Sequence, residues 1–172
     1  CTDSHIIVVA GNRTGKTSGE TRDIIWCARG EHPHKKVELL DMIWCGMPDY
    51  PSYLRFTKPA FEEWCPKDWI VGEFHESDKY VDIRRVDGGI CRIFYLSYDM
   101  PRSKWQGSGV GRIWLDEDPP EDILNECLAR IVTTRGSIIL TFTPVDGVGW
   151  WFDRIWKPSL QGSKMPGPSL PP

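Results

Sequence analysis

The sequence lacks any apolar run near the roughly 18 residues that a membrane-spanning helix needs, which excludes a helical membrane protein. It lacks a C-x2-C pair: six cysteines stand singly at 1, 27, 45, 65, 91 and 127. Scatter of this kind argues against a disulfide framework and for reduced, mostly buried thiols in a cytosolic compartment. His32 and His34 flank Pro33 near Cys27, yet a fourth ligand at zinc spacing is missing, and the segment reads as a solvated loop. Positive charge is not in excess: 21 Lys and Arg face 24 Asp and Glu, for a net charge of −3 and a pI near 5.8. A protein that coats nucleic acid over its whole surface is basic, so only a local basic rim fits this balance. Internal repeats are absent. The opening Cys-Thr-Asp-Ser-His, which passes straight into an apolar run, is not expected to be a signal peptide. The missing initiator Met suggests a fragment of something longer.

What is present is ordinary globular composition: 172 residues, 40% hydrophobic and 26% charged, enough for one domain. Nine tryptophans are many for this length; Trp150, Trp151 and Trp156 read as core or interface anchors. Ile6 to Val9 is a β-branched run expected to form a buried strand, followed by a helix over 17–29 ending near Gly30. Val37 to Trp44 reads as a second strand and 46–57, with its Gly and Pro, as a loop. Thr57 can cap a short helix through Trp64. Trp69 to Phe74 is a strand candidate. Tyr80 to Val86 and Ile90 to Ser97 alternate around Asp87-Gly88-Gly89, a hairpin signal. The stretch 99–109 reads as a loop, Val110 to Leu115 as a strand, and 121–133 as a helix with Ile123, Leu124, Cys127, Leu128 and Ile131 at helical spacing. Ser137 to Phe142 is a further strand, followed by a turn at Pro144 to Gly147 and a short amphipathic segment over 149–156. Alternating strands and helices predict an α/β domain with a mainly parallel central sheet flanked by helices, plus a β-hairpin at about 80–97. Residues 1–157 would form this domain, and the Pro- and Gly-rich 158–172 a tail or linker.

Three groups of residues carry chemistry. Ala10-x4-Gly15-Lys16-Thr17 joins an apolar strand to a helix and reads as a P-loop with Ala for the first Gly. In this P-loop NTPase pattern, backbone N–H groups and the helix N-terminus cradle phosphate. Lys16 brings charge to the β- and γ-phosphates, and Thr17 offers a hydroxyl to Mg²⁺. Arg112 to Glu117 is an apolar strand that delivers Asp116 and Glu117 at its C-terminal end, the crevice where ligands sit in open α/β sheets. Asp116 is expected to hold Mg²⁺, and Glu117 to orient or deprotonate the attacking water. Thr141-Phe142-Thr143 ends another strand; alternation would turn both hydroxyls to one side, toward the catalytic water or the two carboxylates.

With these residues in place, the sequence resembles the ATPase domain of the large terminase subunit, the genome-packaging motor of tailed bacteriophages. The resemblance includes Arg13 within the loop, Ser97-Tyr98-Asp99, Trp105-Gln106-Gly107, Ile113 through Pro120, Glu126, Arg130, and Leu140 through Gly147. It spans about 5–157. It implies nucleotide binding by Gly11, Asn12, Arg13, Thr14, Gly15, Lys16 and Thr17, with ATP as substrate and Mg²⁺ at Thr17 and Asp116. Asp116 and Glu117 become the Walker B pair, and Thr141 and Thr143 a coupling motif. Terminases act as homo-oligomeric rings in which a neighbour can supply an arginine; Arg102 and Arg130 are candidates, with Arg13 as a conformational switch. The implied partners are double-stranded DNA, the portal protein and the small terminase subunit, with no membrane, and the implied place is the host cytoplasm at the procapsid. Two departures stand out: only Cys1 to His5 precede the first strand, and the nuclease domain that terminases carry is expected to be absent. Two other readings stay open. One is a helicase-like ATPase, against which Pro119 stands in the Asp-Glu box. The other is a truncated nucleotide-binding module with little turnover.

Overall fold

The computed structural model describes residues 5–11, 13–107, 109–143, 153 and 157. Strand β1 (His5–Val9) leads into helix α1 (Lys16–Arg29), and strand β2 (Met42–Met47) follows. A short helix α2 (Tyr50–Ser52), a π-turn (Tyr53–Thr57) and helix α3 (Lys58–Trp64) then run on without a break. Next come strands β3 (Ile70–His75), β4 (Tyr80–Arg84), β5 (Ile90–Ser97) and β6 (Arg112–Asp116). Helix α4 (Glu121–Thr134) and strand β7 (Ser137–Phe142) complete the described elements.

The seven strands form one sheet in the order β1-β7-β6-β2-β5-β4-β3. The pairs from β1 through β5 are parallel, whereas β4 and β3 join antiparallel. The mainly parallel sheet with a hairpin at 80–97 is therefore present. Strand β7 lies between β1 and β6, so the strand ends that lead into the Ala10–Thr17 loop, the Asp116-Glu117 pair and Thr143 emerge side by side.

Alternation along the strands gives each face its own core. Trp114, Ile139, Ile43 and Cys45 pack under Ile24, Ile25 and Ala28 of α1. Ile113, Leu115, Ile138, Leu140 and Phe142 pack under α4 through Ile123, Leu124, Cys127, Leu128 and Ile131. Each such buried aliphatic side chain stabilises the fold by roughly 1.5–3 kcal/mol. Cys27, Cys45, Cys65, Cys91 and Cys127 are buried and free.

Four local expectations need correction. Val37 and Leu40 pack against the core from an irregular segment, and the strand starts only at Met42. Residues 50–57 are helical, because Asp49 accepts a hydrogen bond from the Ser52 amide at 2.6 Å and Pro51 stands in the first turn. In 99–109, Arg102–Trp105 form a 3₁₀ turn that buries Trp105 completely. Thr57 precedes α3 but makes no side-chain cap. The segment 149–156, apart from Asp153, lies outside the described residues, as do Trp150, Trp151, Trp156 and the turn at 144–147.

Candidate nucleotide site

Gly15 opens α1 with φ +84, a left-handed conformation that suits glycine. The first turn of α1 holds no acidic residue and no side-chain cap, so its amides remain available to an anion. Thr14 Oγ1 donates to the Gly11 carbonyl at 2.9 Å and tightens the loop. Lys16 Nζ donates to the Ala10 and Gly11 carbonyls, each at 2.9 Å, which folds its ammonium back across the loop. Arg13 is exposed with φ +60, and Asn12 lies outside the described residues. A cleft of about 280 Å³ opens here, lined among others by Ala10, Gly15, Lys16, Glu20 and Thr141.

The Asp116-Glu117 pair meets this loop through two threonines. Lys16 Nζ donates to Thr143 Oγ1 at 2.8 Å, and Thr143 Oγ1 donates to Glu117 Oε1 at 2.9 Å. The Thr143 amide adds a bond to Glu117 Oε2 at 3.0 Å. Thr141 Oγ1 donates to Asp116 Oδ1 at 2.6 Å and accepts from Trp114 Nε1 at 2.9 Å. Thr17 Oγ1 donates to Asp116 Oδ2 at 3.2 Å. Strand register explains the meeting, since Asp116 pairs with Thr141. Burial pushes the Asp116 carboxyl up, and the hydrogen bond from Thr141 works against that while the Glu117 charge adds to it. A hard carboxylate oxygen beside a hydroxyl suits Mg²⁺, which takes one or two carboxylates together with waters and phosphate.

The two other arginines converge on one acid instead of on the P-loop. Arg102 donates through Nε and Nη2 to Glu126 Oε2 at 3.0 and 2.9 Å. Arg130 donates through Nε to Glu126 Oε1 at 3.0 Å and through Nη1 to the Gly107 carbonyl at 3.0 Å. The Glu126 side chain is 4% exposed and that of Arg102 55%. Burial alone would raise the Glu126 carboxyl, but the two guanidiniums outweigh it and hold it below the usual range.

Sequence reasoning quoted three further contributors within its motifs but gave them no role. Trp114 reaches Thr141 through its indole N–H. Tyr98 donates its hydroxyl to the Asp116 carbonyl at 2.9 Å. Arg112, at the start of β6, donates to Asp23 on α1, with Glu20 Oε1 at 3.6 Å. Period-2 alternation offered a signal for the last, because Arg112, Trp114 and Asp116 share a face that α1 covers. His32, expected in a solvated loop, is instead tucked against Trp26 and bonds Asp23 at 3.0 Å. No group of three or more potential metal-holding side chains occurs among the described residues.

Residues 7–163 match the model of the large terminase subunit, T4likevirus-type, N-terminal. The chain belongs to this family. It is 27% identical over 167 residues to the large terminase subunit of Salmonella phage P22, covering 93% of the chain and 29% of the P22 protein. Two solved structures of the large terminase from a thermophilic bacteriophage superpose on 93% of the chain. One, in crystal form 2, has a TM-score of 0.72 at 16% identity and is covered over 38% of its length. The other, in complex with ATP-γ-S, has a TM-score of 0.67 at 16% identity and is covered over 37%. At this identity the likeness to the thermophilic phage enzyme is one of fold. The terminase domain thus spans roughly a third of the length of these relatives. None of the helices among its described residues is long and apolar enough to cross a membrane.

Proposed function

We propose that this terminase domain, residues 1–157, binds ATP with Mg²⁺ between the P-loop and the Asp116-Glu117 pair and hydrolyses it. The turnover drives double-stranded DNA into a procapsid. One observation carries the reading: a single hydroxyl, Thr143 Oγ1, bonds both the P-loop lysine and the Glu117 carboxylate. Phosphoryl transfer needs positioning and charge stabilisation more than covalent chemistry. Lys16 and the α1 amides hold the phosphates. Thr17 and Asp116 would hold Mg²⁺, which neutralises developing charge on the phosphate when bound. Glu117 orients the attacking water and accepts its proton. Displacement of Lys16 toward a γ-phosphate breaks its bond to Thr143, so Thr143 reports nucleotide to Glu117. The complexes of the thermophilic phage enzyme with ATP-γ-S and ADP support a nucleotide as ligand.

Within the same proposal, the domain works in a homo-oligomeric ring in the host cytoplasm, with portal protein and small terminase subunit as partners. Arg102 is the stronger candidate for a residue offered to a neighbouring site, because its guanidinium is half exposed yet held in place by Glu126. Arg130 is the more enclosed of the two, and Arg13, exposed in the loop, takes the part of a conformational switch in this proposal. ATP binding by the parent and by Lys16→Ala tests the site. Affinity should fall at least about tenfold in the variant, because a charge-assisted contact to phosphate is lost. Equal affinity and equal turnover in both would reject the P-loop assignment.

A further inference from the structure

We propose that Tyr98 is a positioning residue for Glu117: its hydroxyl fixes the Asp116–Glu117 peptide and ties it to the segment 98–105 that carries Arg102. This rests on the proposed role of Glu117 in hydrolysis. Glu117 adopts φ +61, a left-handed conformation that is uncommon and costly for a residue with a side chain. Three contacts impose it here. The Glu117 amide donates to the Thr141 carbonyl at 2.7 Å. Its carboxylate is held by the Thr143 amide and hydroxyl. The third contact acts on the peptide just before it, where Tyr98 donates to the Asp116 carbonyl at 2.9 Å.

The Tyr98 hydroxyl has one proton and two carbonyls near it, with Gly46 more distant at 3.4 Å, so Asp116 takes the shorter bond. The ring is set for this contact. Its own amide donates to the Met47 carbonyl at 2.9 Å, and its face rests near Trp105, with centroids 6.0 Å apart. A Cβ on Gly46 would lie 2.7 Å from the Trp105 ring and 3.0 Å from Tyr98 Cε1, so β2 admits both rings only because it has glycine there. Tyr98 is the first residue beyond β5, and Arg102 and Trp105 stand in the turn that follows. One side chain therefore joins the Glu117 turn to the segment presenting Arg102. A shift of the Asp116–Glu117 peptide on hydrolysis would pull on that segment through a single hydrogen bond.

Tyr98→Phe in the full chain removes only the hydroxyl and retains the ring packing. The turnover number for ATP should fall about tenfold while ATP affinity stays within about twofold, since only reacting geometry is disturbed. Amide hydrogen exchange should speed up in 115–118 and in 98–105 and stay unchanged in α1. Tyr50→Phe, which removes an exposed hydroxyl bonded to Glu76, should do neither. Exchange at 115–118 equal to that of the parent overturns the proposal, as does unchanged turnover or a parallel loss of ATP affinity. A parent without any turnover defeats the ATPase reading instead, and the exchange comparison then decides the Tyr98 contact alone.

Discussion

Thr143 donates both its amide and its hydroxyl to the carboxylate of Glu117, at 3.0 and 2.9 Å. The same hydroxyl accepts from Lys16, so its proton is committed to the Glu117 carboxylate and its lone pair to the Lys16 ammonium. Thr143→Val keeps the shape and removes this junction. The turnover number should drop by about ten- to a hundredfold with little change in ATP affinity, and Thr143→Ser should restore most of it. Steady-state hydrolysis beside equilibrium nucleotide binding checks this.

Thr141 differs in kind, because its hydroxyl is buried between Trp114 Nε1 and Asp116 Oδ1. Thr141→Val leaves an indole N–H and a carboxylate oxygen short of a partner. It should cost about 1–3 kcal/mol of stability in chemical denaturation, besides its effect on turnover.

Much of this site was legible in the sequence. The spacing from Ala10 to Thr17 marked the joint between β1 and α1, and the apolar run ending at Asp116-Glu117 put the acids at the end of a strand, because both signals are local. The hairpin around Asp87-Gly88-Gly89 followed from turn chemistry. Other features were hidden for physical reasons. Gly46 reads as a strand breaker, yet it stays in β2 because Tyr98, Trp105 and Leu115 crowd it. Pro51 reads as loop, yet it is tolerated in the first turn of a helix. Glu126 meets Arg102 across 24 positions, and no local pattern predicts a pair that only the fold brings together. The position of β7 between β1 and β6, which creates the Lys16-Thr143-Glu117 chain, is likewise a property of the topology.

Glu126 gives a pH-dependent prediction. Its carboxyl is held below the usual range, so the stabilisation is present above the unfolded glutamate range and is lost as pH falls through the lower folded value. Glu126→Gln should therefore flatten the acid limb of a stability-against-pH curve. At neutral pH it should cost on the order of 2 kcal/mol by weakening two charge-assisted bonds. Arg102→Ala leaves Arg130 on the acid, and its half-exposed pair should cost under about 1 kcal/mol. A large loss of turnover in that variant with so small a loss of stability would mark Arg102 as functional.

Glu20 has the opposite sign. Burial, with Asp23 adding to it, raises its carboxyl to about 7, against a partial offset from Arg112. The unfolded chain then releases a proton that the folded chain keeps, so stability falls as pH rises from the ordinary glutamate value toward 7. Glu20→Gln should remove that fall and raise stability at pH 8 by on the order of 2 kcal/mol, measured by thermal or denaturant unfolding across pH.

The most direct test of a motor reading is turnover of ATP with Mg²⁺ by the purified chain at high concentration, with and without double-stranded DNA, beside Glu117→Gln. The predicted result is turnover that DNA stimulates and that Glu117→Gln abolishes while ATP binding persists. Turnover in Glu117→Gln equal to the parent's, or ATP bound by the parent but never hydrolysed even with DNA, would contradict it.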